Sequence, residues 1–465
     1  MTAPISRRRL LAAGAAGGLG IALAGNVEAI AGPPHVARTA AGYGDLVADP
    51  AGILSLPPGF SYRIVAAAGE TVLESGQPTP SDMDGTAAFA RPGGGFTLVN
   101  NHEIGGTEPF GVPPLAGLTY DPGARGGTTN IDVDTAGNRI REYVSVAGTH
   151  NNCAGGATPW ATWLTCEETE ARAGGALQRN HGYVFEVDAF DRAANLDPVP
   201  LKFLGRYAHE AVAVDPDTSA IYLTEDATAP NGLYFRWLPP HGFTGGKGAL
   251  RSLAVAAGGG TAGRLQAMSC YLGRNHVPDL SLARRPGTRY KVRWVDVPDR
   301  DATSVSVRSQ FSDAAVTRSR KLEGAWWGDG GAYFVASFAR VSDGSAQEHD
   351  GQVWFYDPAR QTVTLQTIFG VNPDPESDAN YDGPDNITVS PYGGVILAED
   401  GEGIQHLVGV TEQGKAYALA RNDLNDSEFT GPTFSADGRI LFACIQSPGH
   451  VFAITGPWRR PSNAA

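Results

Sequence analysis

The stretch NNCAGGATPWATWLTCEE, residues 151–168, sets the pattern from which the fold of this chain can be predicted. It opens with a thiol at Cys153, continues through a Gly-Gly pair and a short aromatic segment, and closes with two adjacent carboxylates, Glu167 and Glu168. This composition is typical of two strands joined by a tight turn. Antiparallel strands place the start of the first beside the end of the second, so the thiol and the acids belong to one edge of a hairpin.

The same frame recurs along the chain. In HEAVAVDPDTSAIYLTED, residues 209–226, the two polar clusters are again roughly fifteen residues apart, as a strand-turn-strand unit requires. Four more segments fit the frame with varying fidelity: 84–103, 323–337, 385–400 and 428–446. A second hairpin often follows the first, which indicates four strands per unit. Units of four strands arranged radially are the blades of a β-propeller.

We therefore predict an all-β fold, a six-bladed β-propeller with long inserted loops over residues 32–456 and a C-terminal tail over 457–465. FSYRIV, residues 60–65, reads as a strand placed before the first complete unit. We expect it to pair in the last blade and to close the ring, because closure removes exposed sheet edges. Residues 239–313 do not follow the repeated hairpin pattern, and we predict that they contain blade strands interrupted by long loops.

Residues 1–31 are predicted to be a twin-arginine signal peptide. SRRRLL, residues 6–11, is followed by an apolar, Ala/Gly-rich run to Ala24, and residues 29–31 offer a small-residue cleavage site. An ordinary secretory signal or an uncleaved anchor is the alternative. The expected partner is the twin-arginine export machinery, and the expected location is secreted or periplasmic. No later apolar run is long enough to span a bilayer, so no membrane association is expected after cleavage.

The charge and the cysteines narrow the class of ligand. A net charge of −13 and a pI near 5.2 disfavour nucleic acids and favour cations. Four cysteines in an exported chain would ordinarily form two disulfides. Cys153 and Cys166 lie at opposite ends of one hairpin, so a bridge between them is one interpretation, and a Cys153 thiolate that binds metal is the other. Cys270 and Cys444 are expected to be buried free thiols.

Acids dominate the predicted common edge of the hairpins. Carboxylates that converge on one axial mouth cannot all stay ionised without partners, which indicates bound cations. Oxygen ligands favour calcium, and a single thiolate among them leaves room for a softer metal such as iron. The alternative is that several acids cap turns or pair with arginines. The residues of this edge are Asp84, Asn100, His102, Glu103, Cys153, Glu167, Glu168, Glu210, Glu225, Asp226, Glu323, Asp385, Glu399, Asp400 and Glu428.

These motifs resemble the PhoX-type alkaline phosphatases. The resemblance spans almost the whole mature chain, rests most specifically on NCAGG followed by TPW-x-T-x-L-TCEE, and includes NHE at 101–103, AHEAVAVDP, a PDN segment and SEFTGPTFSADGRILFACIQSPG. It implies an exported six-bladed propeller that hydrolyses phosphate monoesters with Fe³⁺ and Ca²⁺ around a bridging oxo group. By matching motif, it implies the metal ligands Cys153, Glu167, Glu168, Glu210, Glu323, Asp385 and Asp400.

The resemblance also suggests catalytic residues for small phosphorylated substrates. Lys321 stands where family members commonly carry arginine, and it offers a point charge in place of a bidentate fork. Lys321, Arg320 and Asn101 are candidates to hold the phosphoryl oxygens. His209 and His102 are candidates to pass a proton to the leaving group. For each of these residues a structural role in a loop or turn is the alternative.

Two rival functions use the same scaffold. One is a calcium-dependent lactonase or phosphodiesterase, because a fold alone does not determine chemistry. The other is a non-enzymatic propeller that binds a ligand. Neither rival needs a thiolate at the axis, so Cys153 distinguishes them from a metal-dependent phosphatase. The chain has no G-x-S-x-G motif, which argues against a serine hydrolase.

Overall fold

A computed structural model describes residues 42–256, 261–345, 347–378 and 380–461. The predicted signal peptide, residues 1–31, lies outside this part. The described chain is almost entirely β, with a single α-helix, α1 (Ala249–Ala256), inside the irregular region. No described helix has the length and apolar character needed to cross a membrane.

The strands form five antiparallel sheets. Two short strands come first, β1 (Leu54–Ser55) and β2 (Ser61–Ala67). A four-stranded unit follows: β3 (Met83–Ala90), β4 (Phe96–His102), β5 (Gly126–Val133) and β6 (Arg139–Thr149). The next sheet has three strands: β7 (Asn152–Ala157), β8 (Thr162–Glu167) and β9 (Val184–Asp188).

The largest sheet has ten strands and occupies the middle of the chain. Its first half consists of β10 (His209–Val214), β11 (Ile221–Glu225), β12 (Tyr234–Leu238), β13 (Arg264–Leu272), β14 (Asn275–Val277) and β15 (Arg289–Asp296). Its second half consists of β16 (Leu322–Gly328), β17 (Gly331–Ala336), β18 (Gly351–Asp357) and β19 (Thr362–Phe369). Strand β15 pairs with β13 on one side and with β19 on the other, and so joins the two halves.

Two further sheets complete the molecule. One contains β20 (Pro384–Val389), β21 (Val395–Glu399), β22 (His406–Val410) and β23 (Ala416–Asn422). The other contains β24 (Phe429–Phe434), β25 (Ile440–Ile445) and β26 (His450–Thr455). The repeated hairpin predicted from the sequence is confirmed, because β3–β4, β7–β8, β10–β11, β16–β17, β20–β21 and β24–β25 are antiparallel pairs.

The first strands of these hairpins contact one another in a closed cyclic order: β3, β7, β10, β16, β20, β24 and back to β3. Glycines allow this close approach. A Cβ atom at Gly85 of β3 would lie 2.6 Å from the Cα atom of Ala154 on β7. The fold is therefore propeller-like and all-β, as predicted. The number of blades stays a prediction, since β15 merges two of the four-stranded runs into one sheet.

The N-terminal strand closes the ring, as expected. Strand β2 pairs with β26 from Ser61↔Thr455 to Ala67↔His450, and so becomes the outer strand of the last sheet. The sequence did not suggest that β1 also pairs with β23 of the preceding sheet. The beginning of the described chain thus supplies an outer strand to two successive sheets.

The two irregular regions are partly ordered by packing. Region 239–313 contains α1 and strands β13 to β15. Residues 456–461, at the start of the predicted tail, form no helix or strand. Even so, the ring of Trp458 packs edge-on against Phe60 at 4.7 Å and against Phe434 at 5.2 Å between ring centroids. The segment after the last strand therefore helps to cover the closing sheet.

Aromatic side chains fill much of the core, including the space between the two halves of the ten-stranded sheet. Tyr234 of β12 stacks on Phe334 of β17 with 4.2 Å between ring centroids. Trp163, Trp237 and Trp354 are fully buried. Burial of large apolar side chains is the main favourable term in folding, and the Tyr234–Phe334 contact packs the two halves of the ten-stranded sheet against each other.

Candidate metal centre

A β-bulge recurs at the same place in each of the six inner hairpins. In β10, His209 pairs with Glu225, and regular pairing resumes with Val212 opposite Leu223. Two residues, Glu210 and Ala211, therefore face a single residue on β11, and such a bulge turns a side chain away from the regular alternation. The residues at the matching first bulge position are Asp84, Cys153, Glu210, Glu323, Asp385 and Gly431.

All of these residues except Gly431 belong to four groups, and within each group the ligand atoms lie within 4.8 Å of one another. Cys153 belongs to two of the groups, as do Glu210 and Asp385. The groups therefore form one connected series. They are Asp84 with Glu103 and Cys153; Cys153 with Glu168 and Glu210; Glu210 with Glu323 and Asp385; and Asp385 with Asp400 and Glu428.

Cys153 is a free thiol in the middle of this acidic series. All four cysteines are free and buried, so the bridge between Cys153 and Cys166 that the sequence left open is absent. The Cys153 Sγ lies 3.2 Å from Glu210 Oε1 and 3.6 Å from Asp84 Oδ2. Burial, and then the negative charges of Asp84 and Glu210, raise the pKa of Cys153 well above its usual value. The thiol keeps its proton here unless a cation offsets these charges.

Two amide side chains that the sequence analysis did not propose hold the acids in place. Asn151 donates from Nδ2 to Glu103 Oε1 at 3.0 Å and to Glu168 Oε2 at 3.3 Å. Gln446 donates from Nε2 to Glu103 Oε2 at 2.7 Å and to Asp84 Oδ2 at 3.3 Å. Asn151 opens the diagnostic stretch and has a left-handed backbone with φ of 55°, which a short polar residue tolerates.

Glu167 and Glu168 have different surroundings although they are neighbours. Glu168 belongs to a candidate metal group, whereas Glu167 belongs to none of the four. Glu167 accepts hydrogen bonds from His181 Nδ1 at 2.6 Å, from the Gly182 backbone at 2.8 Å and from the His150 backbone at 3.0 Å. These donors fix the end of β8, and the role of Glu167 as a metal ligand stays a prediction.

The two basic candidates are also separated. Lys321 Nζ lies 2.9 Å from Glu323 Oε1, at the edge of the third group, and its backbone has φ of 40°. Arg320 forms an ion pair with Asp279 at 3.1 Å. The structure therefore places Lys321 at the acidic mouth and directs Arg320 to a loop.

Structural contacts hold the three remaining catalytic candidates, Asn101, His209 and His102. Asn101 donates from Nδ2 to the Cys153 carbonyl at 2.8 Å and accepts from Trp163 Nε1 at 2.9 Å, which anchors β7. The Nε2 atom of His209 lies 3.1 Å from the carbonyl oxygen of Gly205, and burial lowers its pKa to about 3. Burial also lowers the pKa of His102 to about 4. None of the three belongs to the four groups of the described chain.

The alternative that acids pair with bases holds for particular acids of the predicted edge. Glu225 forms an ion pair with Arg308 at 3.1 Å, and Glu399 forms one with His406 at 2.8 Å. Asp385 and Asp400, in contrast, belong to a candidate metal group together with Glu428. The predicted edge therefore divides into acids that face the mouth and acids that are neutralised behind it.

The fold and the site together define an all-β, propeller-like protein with a candidate metal centre. The sequence profile of the family described as alkaline phosphatase PhoX matches residues 41–449. Since the match covers most of the chain, this protein belongs to the PhoX alkaline phosphatase family and is an enzyme of that class. The resemblance found in the sequence is thus confirmed.

One solved structure shows the same fold. The chain is similar to PhoX of Pseudomonas fluorescens in complex with vanadate, a transition-state analogue, with a TM-score of 0.68, 18% identity, and coverage of 91% of this chain and 98% of that chain. It also aligns with a gluconolactonase of Xanthomonas campestris at a TM-score of 0.40, 14% identity, and coverage of 94% and 99%. Comparison with curated proteins gives no match.

Proposed function

We propose that this enzyme hydrolyses phosphate monoesters at the mouth of the ring with the help of bound iron and calcium ions. The observation that carries the proposal is the connected series of four acidic groups, each of which offers three ligand atoms within 4.8 Å. Family membership supports phosphatase activity, and a PhoX structure that binds vanadate is consistent with it. The identity of the metals and their position in the axis are our proposal.

The donors of the four groups suit two kinds of metal. Two groups contain only carboxylates, which are hard oxygen ligands of the kind that calcium prefers. The other two groups share the Cys153 sulfur, and a thiolate among carboxylates suits a softer ion such as iron. When bound, such cations supply Lewis acidity and offset the negative charge of the phosphoryl group. We propose Cys153, Glu168, Glu210, Glu323 and Asp385 as ligands, together with Asp84, Glu103, Asp400 and Glu428.

Among the bases predicted from the sequence, Lys321 is our candidate to contact the phosphoryl group. Its ammonium group lies beside Glu323 at the mouth and is a quarter exposed, so it can turn toward an incoming oxyanion. An ammonium group donates to one oxygen at a time, where arginine would donate to two. Asn151 and Gln446 orient the acids. Arg320, Asn101 and His209, which the sequence suggested as catalytic, are proposed only to support neighbouring loops.

Different observations argue against the two rival functions. Family membership makes the chain an enzyme, so the non-enzymatic propeller is no longer a candidate. A lactonase or phosphodiesterase on this scaffold would need no thiol at its centre. The burial of Cys153 within hydrogen-bonding distance of Glu210 and close to Asp84 therefore favours the phosphatase.

We also propose six blades, one for each inner strand in the closed series from β3 to β24. The cyclic contacts and the six matching bulges support this count. The propeller domain would span residues 32–456, with a tail at 457–465. Export through the twin-arginine machinery, directed by residues 1–31, would place the enzyme in the periplasm or outside the cell.

Metal analysis of the exported protein tests the proposal. The wild-type enzyme purified from its native host is expected to contain iron and calcium, to absorb visible light, and to hydrolyse para-nitrophenyl phosphate. Cys153→Ala is expected to lose iron and at least about a hundredfold in activity, because a ligand is removed. The control, Cys270→Ala, removes an equally buried thiol from the core and should keep both. Full iron in Cys153→Ala would contradict the proposed ligand set.

A further inference from the structure

A basic surface on β15 and its flanking turns contrasts with the acidity of the rest of the chain. Residues 272–293 contain six cationic side chains and one carboxylate, in a protein whose net charge is −13. The single carboxylate, Asp279, is already paired with Arg320. We call this surface the basic face, and its members are Arg274, Arg284, Arg285, Arg289, Lys291 and Arg293, all of them exposed.

The alternation of β15 creates the centre of the basic face. Arg289, Lys291 and Arg293 are exposed, while Tyr290 and Val292 between them are buried. Successive side chains on one face of a strand are about 7 Å apart, so three like charges stand in a row. The residues directly opposite them on β13 and β19 are uncharged: Ser269, Tyr271, Thr362 and Thr364.

The nearby contacts support the long side chains without neutralising them. Arg289 Nε donates to Thr364 Oγ1 at 3.2 Å, and Lys291 Nζ donates to the Arg360 carbonyl at 3.2 Å. The Arg293 guanidinium lies over the Tyr271 ring at 4.4 Å. At the far end of the strand, Asp296 is paired with Arg264, which marks the boundary of the basic face.

Exposed leucines lie within the same surface. Leu272, at the tip of the β13–β14 hairpin two residues from Arg274, is 61% exposed. Leu282, two residues before Arg284, is 39% exposed. Cations that bind lipid headgroups, combined with apolar side chains that enter the boundary of the acyl region, are the features of a surface that adsorbs to an anionic bilayer.

We propose that the basic face docks this enzyme on an anionic lipid surface. Because the chain as a whole is acidic, this face approaches such a surface more favourably than an acidic face does, so the adsorbed protein has a preferred orientation. The contact is peripheral: arginine and lysine side chains bind headgroup phosphates, and Leu272 and Leu282 enter the interface. This differs from the expectation of no membrane association, which rested on the absence of a spanning segment.

Vesicle sedimentation of the purified, metal-loaded protein tests the proposal. The wild-type protein should sediment with vesicles that contain phosphatidylglycerol, should not sediment with pure phosphatidylcholine, and should be released by high salt. The triple variant Arg289→Gln, Lys291→Gln, Arg293→Gln should lose about fivefold in partitioning per cation, and so about a hundredfold in all. The matched control is Arg63→Gln, Arg439→Gln, Arg460→Gln, which removes three exposed cations elsewhere and should bind as the wild type does.

A second pair of changes distinguishes a lipid surface from a soluble polyanion. Leu272→Ser with Leu282→Ser should weaken vesicle binding while leaving the thermal unfolding temperature unchanged. A single-stranded oligonucleotide at the same ionic strength serves as the soluble polyanion. Equal vesicle binding by the basic-face triple variant and its control overturns the proposal. Tight oligonucleotide binding that the leucine changes do not affect, without vesicle binding, also overturns it.

Discussion

At the scale of single residues, the neighbouring acids Glu167 and Glu168 predict opposite outcomes on substitution. Successive side chains of a strand point to opposite faces, so only one of the pair can face the mouth. Glu168→Gln removes a proposed ligand and is expected to lower bound metal and activity at least tenfold while stability changes little. Glu167→Gln removes one of the two carboxylates that pair with His181, the other being Asp121, and is expected to cost about 2 kcal/mol of unfolding free energy.

Metal content and denaturant unfolding of the two variants check this prediction. Glu170→Gln, which loses a partly exposed ion pair with Arg308, is the control and should change both quantities little. Loss of metal in Glu167→Gln, with full metal in Glu168→Gln, would reverse our assignment.

His406 predicts a second effect at this scale, a dependence of stability on pH. Its ring lies between Glu399 at 2.8 Å and Asp378 at 3.1 Å. Burial alone would lower the pKa of His406, but the charge of Glu399 and the hydrogen bonds to both acids outweigh it and raise the pKa to about 9. A pKa that is higher in the folded state than in the unfolded state stabilises the fold. This stabilisation is complete when the pH is below the unfolded pKa near 6.5, and it disappears as the pH rises through about 9.

We therefore compare the wild type with His406→Gln across this range. The wild type should exceed the variant in unfolding free energy at pH 6, and the difference should shrink by about 3 kcal/mol by pH 10. The other charged groups that face this pair are Arg421, which binds Asp378, and Asp382, whose backbone donates to Glu399. They are present in both proteins. A difference that does not vary with pH would show that His406 acts only by packing.

At the scale of the strand, a substitution at Gly431 tests how closely the inner strands β24 and β3 approach each other. It occupies the sixth bulge position with φ of 56°, and a Cβ atom there would lie 2.4 Å from the Asp84 carbonyl oxygen. Gly431→Ala is therefore expected to destabilise the protein by roughly 2–4 kcal/mol, from backbone strain and from displacement of β3. Gly330→Ala controls for the strain alone, because its φ is 77° and nothing lies within 4 Å.

Denaturant unfolding measures how much more Gly431→Ala destabilises the protein than Gly330→Ala does. We expect this difference in unfolding free energy to exceed about 1 kcal/mol. Metal content gives an independent measure, since displacement of β3 moves Asp84 away from the Cys153 group. Equal unfolding free energies for the two variants would show that β24 and β3 separate easily.

The strands also show how much of this structure could be predicted from sequence. Alternating apolar residues around Gly-rich and Asp-rich turns are local signals, and they correctly located the six inner hairpins and the closing strand at residues 61–67. The bulges could not be predicted, because Asp84-Gly85 and Glu210-Ala211 share no residue signature. Alternation along extended backbone separates Glu167 from Glu168, and two adjacent acids alone do not indicate which of them binds a metal.

Long-range pairing accounts for most of the remaining difference. Strand β15 joins two runs of strands because Arg289 lies opposite Thr364, some seventy residues later in the chain. Nothing local in the sequence specifies such a partner. The backbone contacts of Asn101 and His209 were equally hidden, since a polar residue beside a predicted ligand has the same sequence signal whether it binds substrate or backbone.

At the scale of the whole molecule, the candidate metal centre is also a structural junction. Asp84, Cys153, Glu210 and Asp385 come from four different sheets, yet their ligand atoms form one connected series. Two unit charges 4 Å apart repel by about 4 kcal/mol at an effective dielectric constant of 20. Without cations, the acids thus push apart the sheets that the core packing holds together.

Removal of the metals is therefore expected to destabilise the ring as a whole. Cations that bind only the folded state, at a hundred times their dissociation constant, add about 2.7 kcal/mol each, so a chelator should lower the unfolding temperature by several degrees. Asp385→Asn removes one negative charge from two of the groups, so its metal-free form should be less strained and the chelator should affect it less. Asp437→Asn, in the exposed turn between β24 and β25, is the control and should respond to the chelator as the wild type does. Calorimetric scans with and without chelator provide the measurement. If the wild type unfolds at the same temperature in both, the acids do not depend on cations, and the mouth of the ring is not a metal centre.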